Sequence, residues 1–338
     1  RRSSDLEAAV TFSARSVRSP YTGNVMWAKT LLLSAFVATG AVAAPVSAQQ
    51  IVPDGRTATT LSTHSNVTDV MTATQRGANA FNSFVRFNVN AGNIANLHVP
   101  ASASNLVNIV SGSASNIDGV LNAVKNGQIG GNVWFANPHG MVVGAAGVVN
   151  VGSLHVSTPT PGFVDNFFTA PGMPDDGAVA QLLAGEAPRN ADGVITIDGK
   201  VHAVDSVALS AGAVNVGGAV YSGARFVSAT PEFSDVVNAN GIATATRVVE
   251  RGGKIFIVAD GDVAVSGMVN VDGSAGVKAG TVNVRAGGAL NLQSGAVISA
   301  RGAGVASDGG SVTLWADATA VARRGALVDA SAGNGGAG

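Results

Sequence analysis

Beyond Gln49 the chain is built of short runs in which apolar and polar residues alternate or β-branched residues cluster: Val85-Arg86-Phe87-Asn88-Val89, Val194-Ile195-Thr196-Ile197, Lys254 to Val258, Thr281 to Arg285 and Ser311 to Trp315. Gly, Asn, Asp or Ser bounds each run. A period of two between such breakers is the pattern of β-strands, so the chain is predicted to be all-β.

The end of the chain adds a repeat. Strands beginning at Lys254, Thr281 and Ser311 are each followed by a second short strand (Val263-Ala264-Val265, Leu290-Asn291-Leu292, Ala318 to Val321) and a third (Val269-Asn270-Val271, Val297-Ile298-Ser299, Leu327-Val328-Asp329). A small-residue turn such as Gly273-Ser274-Ala275-Gly276 closes each unit. Three strands in a period of about 26–30 residues supply one strand for each wall of a triangular coil. The expected fold is a right-handed parallel β-helix with extra-helical loops and hairpins. Val, Ile and Leu stack inside it, and Gly, Asn and Ser take the corners. A two-sheet sandwich is the structural alternative. It is disfavoured because paired runs about two residues apart are scarce.

Two stretches interrupt the coils. Residues 158–193 hold Pro159, Pro161, Pro171, Pro174 and Pro188. Proline at that density cannot occupy central strands, so a loop leaves the coil here, with a turn or two of helix near Ala178–Leu183 and Phe163, Phe167 and Phe168 pinning it back. Residues 221–251 carry Pro231 and Asn238-Ala239-Asn240-Gly241, the signature of a hairpin-shaped excursion.

The amino-terminal part reads differently. From Met26 a short basic segment containing Lys29 precedes the apolar run Leu31–Ala44, and Val46-Ser47-Ala48 offers small residues before Gln49. This is the pattern of a secretory signal peptide over 26–48, cut between Ala48 and Gln49. Its apolar run extends about 21 Å as a helix, short of the roughly 30 Å hydrocarbon core. Residues 1–25 are an upstream extension or part of a long signal. The glycine-rich end suggests that the repeats of 251–338 continue past Gly338.

Composition narrows the function. Only 12% of the 338 residues are charged, 46% are hydrophobic, 44 are Gly and none is Cys. Five Lys and four Glu are too few to coat exposed helices. A formal net charge of −1 argues against a nucleic-acid partner. Without Cys there are no disulfides, thiolate metal sites or thiol catalysis.

The most specific text lies between Phe84 and Thr158. Phe87-Asn88-Val89, Gly92-Asn93-Ile94-Ala95-Asn96-Leu97, Ile129-Gly130-Gly131-Asn132-Val133-Trp134-Phe135-Ala136-Asn137-Pro138-His139-Gly140-Met141-Val142-Val143-Gly144 and Gly147-Val148-Val149-Asn150-Val151-Gly152 together resemble the amino-terminal secretion domain of two-partner-secretion exoproteins, the filamentous haemagglutinin and haemolysin-like family of Gram-negative bacteria. The family's Asn-Pro-Asn-Gly-aliphatic signature corresponds to Asn137, Pro138, His139, Gly140 and Met141, with His139 in place of the second Asn. An upstream Asn-Pro-Asn-Leu element survives only as Asn96 and Leu97. The resemblance implies a secretion domain over 49–250, export by the Sec translocon, and recognition by a dedicated outer-membrane β-barrel transporter. Folding at the cell surface would follow as part of a large adhesin. The residues themselves favour a type I turn, with Asn at its first position, Pro at the second and Gly at the fourth. The Asn137 side chain can accept from the backbone two residues on.

No cofactor, metal or enzymatic site is expected. His64, His98, His139, His155 and His202 show no metal-ligand spacing and read as satisfied surface or turn residues. Asp175-Asp176 and Asp260-Gly261-Asp262 read as solvated turns in preference to calcium ligands. A β-helix polysaccharide lyase would need an Asp and Arg/Lys cluster on one wall, whereas Lys254, Lys278, Arg285 and Arg301 fall at different repeat positions. A single-chain autotransporter passenger is the other alternative, and the Asn137 motif favours the two-partner route. No motif specifies a receptor on a host or neighbouring cell.

Overall fold

The computed structural model describes residues 50–227, 246–249 and 252–337. The signal segment, the cut between Ala48 and Gln49, and the tip of the second excursion lie outside them.

The described chain is a right-handed parallel β-helix, each coil contributing one short strand to each of three walls. One wall is a separate sheet of seven parallel strands: Ser115–Ile117, Gly140–Val143, Val194–Ile197, Ala213–Val216, Val263–Val265, Ala289–Leu292 and Thr319–Ala322. The other two walls join in a larger sheet, because the long strands Val148–Ser157 and Lys200–Ala211 bend around a corner and serve both. Register is kept from coil to coil. Leu106, Val133, Leu154, Val207, Ile255, Val282 and Val312 are successive Cα partners and form one inward column, buried from Leu106 through Val282. A fully buried Val, Leu or Ile contributes about 1.5–3 kcal/mol, so coils that repeat such columns are stable without disulfides.

The amino-terminal end departs from the expected scarcity of hairpins. Thr59–His64 and Val67–Thr72 pair antiparallel around Ser65-Asn66, and Ser65 adopts φ 55°. Neither turn residue is Gly, so the usual hairpin signal is weak here. Gln50–Pro53 runs antiparallel to Asn79–Asn88, and Val120–Lys125 folds back on Gln128–Ile129 through Asn126-Gly127. These antiparallel pieces help cover an edge that would otherwise expose unpaired backbone groups. Inside this end Phe84, Phe87 and Phe135 stack edge to face, with ring centres 5.1 and 5.2 Å apart.

Between Thr158 and Gly193 the chain leaves the coil and returns to it. The excursion contains helix α1 (Pro161–Asp165), a ribbon of Phe168–Ala170 with Met173–Pro174, and helix α2 (Asp176–Ala184). Phe167 and Phe168 sit 6.3 and 6.4 Å from Phe81 in a second core with Val107, Ile109, Val179 and Leu182. This core lies on the outer surface of the wall that carries Phe81. Farther along, Ala224–Val227 and Thr246–Val249 form an antiparallel pair outside the coils.

Candidate functional site

The strand Asn132–Ala136 ends in the turn Asn137 to Gly140. The Gly140 N–H donates to the Asn137 carbonyl at 3.0 Å, and the His139 N–H donates to Asn137 Oδ1 at 2.9 Å. The side-chain amide of Asn137 is fully buried and donates to the Ser113 carbonyl (2.8 Å) and Ser115 Oγ (3.1 Å), on the coil before. Its backbone N–H donates to the Ser157 carbonyl at 3.1 Å, on the coil after. Asn190 Nδ2 donates to the Pro138 carbonyl at 2.9 Å. The turn therefore ties together coils on either side of it. Asn137 is the buried member of this set, and leaving its amide unpaired would cost about 1–3 kcal/mol.

Gly140 has no alternative at its position. Its φ is +93°, and an added Cβ would lie 1.8 Å from the Val194 carbonyl oxygen. Met141 points into the core and is fully buried. Pro138 is buried as well, and of the five motif residues only His139 is exposed.

The sequence reading missed the companion of this turn. Asn190-Ala191-Asp192-Gly193 repeats two of its hydrogen bonds one coil later, without the positive φ of Gly140: Gly193 N–H donates to the Asn190 carbonyl (3.0 Å) and Asp192 N–H to Asn190 Oδ1 (3.2 Å). Both turns lead into neighbouring strands, with Gly140 opposite Val194. The shared Asn-x-x-Gly spacing was legible in the sequence. The excursion between the two turns hid that they are adjacent.

Asn96 and Leu97 lie on the strand Ile94–His98, on a different wall. Leu97 is buried in the core. Asn96 belongs to a column of outward side chains joined head to tail: Asn96 Nδ2 donates to Asp69 Oδ1 (3.1 Å), Asn122 Nδ2 to Asn96 Oδ1 (3.0 Å) and Asn150 Nδ2 to Asn122 Oδ1 (2.9 Å). His202 Nδ1 lies 3.1 Å from Asn150 Oδ1, which makes Nδ1 the protonated nitrogen. His98 Nε2 meets Asp69 Oδ1 at 2.7 Å. Burial alone would raise the Asp69 carboxyl, but the hydrogen bonds from His98 and Asn96 and the charge of nearby imidazoles outweigh it and hold it below the usual carboxylate range.

Two histidines depart from the surface reading. His202 is buried in this column. His155 stacks on Trp134, with rings 3.7 Å apart and 7° from parallel, and burial pushes its pKa down to about 4. Asp175 is a helix cap and not a solvated turn, its Oδ1 accepting from Ala178 N–H at 2.8 Å. Asp176 pairs with Arg76 and Asp260 with Arg189, while Asp262 accepts from Ala289 N–H. Among the described residues no three His, Asp or Glu side chains gather as a metal site.

Comparison with known proteins places the whole domain. The profile described as the TPS secretion domain matches residues 49–327. No curated protein matches the chain. Among solved structures, the HMW1 secretion domain from Haemophilus influenzae is similar at 16% identity and a TM-score of 0.42, covering 84% of each chain. The filamentous hemagglutinin secretion domain is similar at 19% identity and a TM-score of 0.34, covering 84% of this chain and 100% of that one.

Proposed function

Because the chain belongs to the TPS secretion domain family, whose members direct two-partner-secretion exoproteins across the outer membrane of Gram-negative bacteria, we propose that the turn Asn137–Met141 serves secretion by folding the domain. It would act as a lock between coils and not as a surface epitope. The observation that carries this reading is burial. Asn137, Pro138, Gly140 and Met141 are enclosed, so a transporter could meet those groups only before the coils close.

In this reading the Sec translocon exports the chain and a signal peptidase cuts between Ala48 and Gln49. The unfolded domain engages the dedicated outer-membrane transporter, and the coils close outside the cell as part of an adhesin of the filamentous haemagglutinin kind. Each coil buries apolar surface worth about 25 cal/mol per Å², which opposes return through the pore without ATP. Coils that stack in register suit a long rod that holds downstream segments away from the membrane.

The test is the ratio of extracellular to periplasmic protein in a host expressing the cognate transporter. Gly140→Val is expected to accumulate in the periplasm, Pro138→Ala to lose part of its secretion, and His139→Ala and the exposed control Glu186→Ala to be released normally. Equal release of all four variants would remove the turn from the secretion mechanism. Retention of a folded His139→Ala would mean that the transporter reads the turn directly.

A further inference from the structure

The amino-terminal end of the coil is tied to the excursion through one side chain. Arg56 lies between the strands Gln50–Pro53 and Thr59–His64. Its guanidinium donates from Nη1 to the Val164 carbonyl in α1 at 3.0 Å, a partner 108 residues farther on, and sits 5.2 Å from the centre of the Phe168 ring. Its backbone carbonyl accepts from Gly172 N–H at 2.7 Å. Three kinds of contact thus meet the same stretch of the excursion.

The guanidinium is aimed from its own side. Arg56 Nε donates to Asp54 Oδ2 at 2.7 Å and Arg56 N–H to Asp54 Oδ1 at 2.9 Å. Asp54 Oδ2 also accepts from Ser83 Oγ at 2.6 Å, and Asp54 N–H donates to the Ser83 carbonyl at 3.2 Å, which fixes the carboxylate on the strand Asn79–Asn88. One edge of the planar fork is held by Asp54, and another is left to reach Val164. The side chains of Arg56 and Asp54 are only 24% and 10% exposed, and charge-assisted hydrogen bonds in such partly enclosed places are stronger than those in open water. The pair Arg76–Asp176 links the same two regions from outside, at 53% and 70% exposure. A surface pair of that kind carries little weight.

We propose that Arg56 is a clasp through which the amino-terminal end of the coil and the excursion close together, so that opening either one loosens the other. Local elements open with their own free energies, and a shared contact couples those energies equally in both directions. In a chain that crosses the membrane unfolded, the amino-terminal end then stays unfinished until Gly172 has also emerged. That consequence alone rests on the proposed secretion role.

The test is amide hydrogen exchange of the full chain, followed by mass spectrometry over residues 50–58, 166–176 and, as a coil reference, Thr281–Ala286. Arg56→Met keeps an apolar stem and removes the fork, and should speed exchange about tenfold in both 50–58 and 166–176 while the coil reference is unchanged. Arg56→Lys should not restore protection, because an ammonium cannot serve Asp54 and Val164 in the fork's geometry. Arg76→Met should change either segment by less than about threefold. Phe168→Leu, made in the excursion, should speed exchange in 50–58, and combining it with Arg56→Met should accelerate that segment little further, because both changes break one clasp. Acceleration confined to the mutated side overturns the proposal, as do an equal effect of Arg76→Met, additive effects of the two clasp variants, or loss of protection in the coil reference as well.

Discussion

A Cβ on Gly140 would lie 1.8 Å from the carbonyl oxygen of Val194, the residue that opens the adjacent strand after the helical excursion. No rotamer relieves this overlap, because the atom it meets is backbone. The contact joins the motif turn to the point where the chain re-enters the coil.

Replacing Gly140 by Ala is therefore expected to destabilise the domain by about 3 kcal/mol or more, through the clash and the positive φ of +93° together. Gly162→Ala, in helix α1, where an added Cβ meets nothing within 4 Å, should not destabilise and is expected to add up to about 1 kcal/mol. Urea midpoints of the two variants make the comparison. Similar midpoints would show that the coil yields at Val194.

Pro138→Ala keeps the hydrogen bonds of the turn but frees φ in the unfolded chain, and should cost about 1 kcal/mol. Asn137→Ala removes donors to Ser113 and Ser115 and the acceptor for His139 N–H, and should cost more, about 2–4 kcal/mol. The order of the two midpoints in denaturant is the readout, and the reverse order would contradict the buried amide's role.

The asparagine column has a direction, since each amide donates toward Asp69. Asn122→Leu should cost about 2–4 kcal/mol by leaving Asn96 Oδ1 and Asn150 Nδ2 unpaired. Asn122→Asp should cost at least as much at neutral pH, because a carboxylate can still accept from Asn150 but has no proton to give Asn96. Thermal unfolding of both variants checks this, and an unperturbed Asn122→Asp would show that the column has no fixed polarity.

His155 contributes to pH dependence with a definite sign. Its folded pKa of about 4 lies below the usual 6.5, so between these values the unfolded chain binds the proton and the folded chain does not. Stability from this group is present above about pH 6.5 and is lost as pH falls toward 4, by at most about 3 kcal/mol. His155→Phe should flatten the fall of Tm over that window. NMR titration of His155 with a midpoint near 6.5 would refute the assignment.

Phe167 is fully buried between Phe81, Phe163 and Phe168, so Phe167→Ala should cost about 3–5 kcal/mol. The loss should be local. Proteolysis is expected to cut within residues 161–187 while the coils remain resistant, and uniform digestion of the whole chain would show that excursion and coil unfold together.

The strands and their stacking were legible in the sequence because an inward column needs the same residue class at each repeat, and period-two alternation writes it out in runs such as Thr281 to Arg285. The type I turn at Asn137 was legible for a similar reason, since Asn, Pro and Gly restrict the backbone locally. What the sequence left open came from contacts between residues far apart in the chain. Ser65-Asn66 closes a hairpin without glycine because its two strands pair along their length. Asp175 caps a helix whose apolar face exists only where Phe167 and Phe168 dock on Phe81. His155 and His202 look like ordinary polar positions until the coil sets one against Trp134 and the other against Asn150. The need for glycine at 140 follows partly from turn chemistry, which the sequence carries. The rest comes from the Val194 carbonyl, which only the return of the chain after its excursion brings within reach.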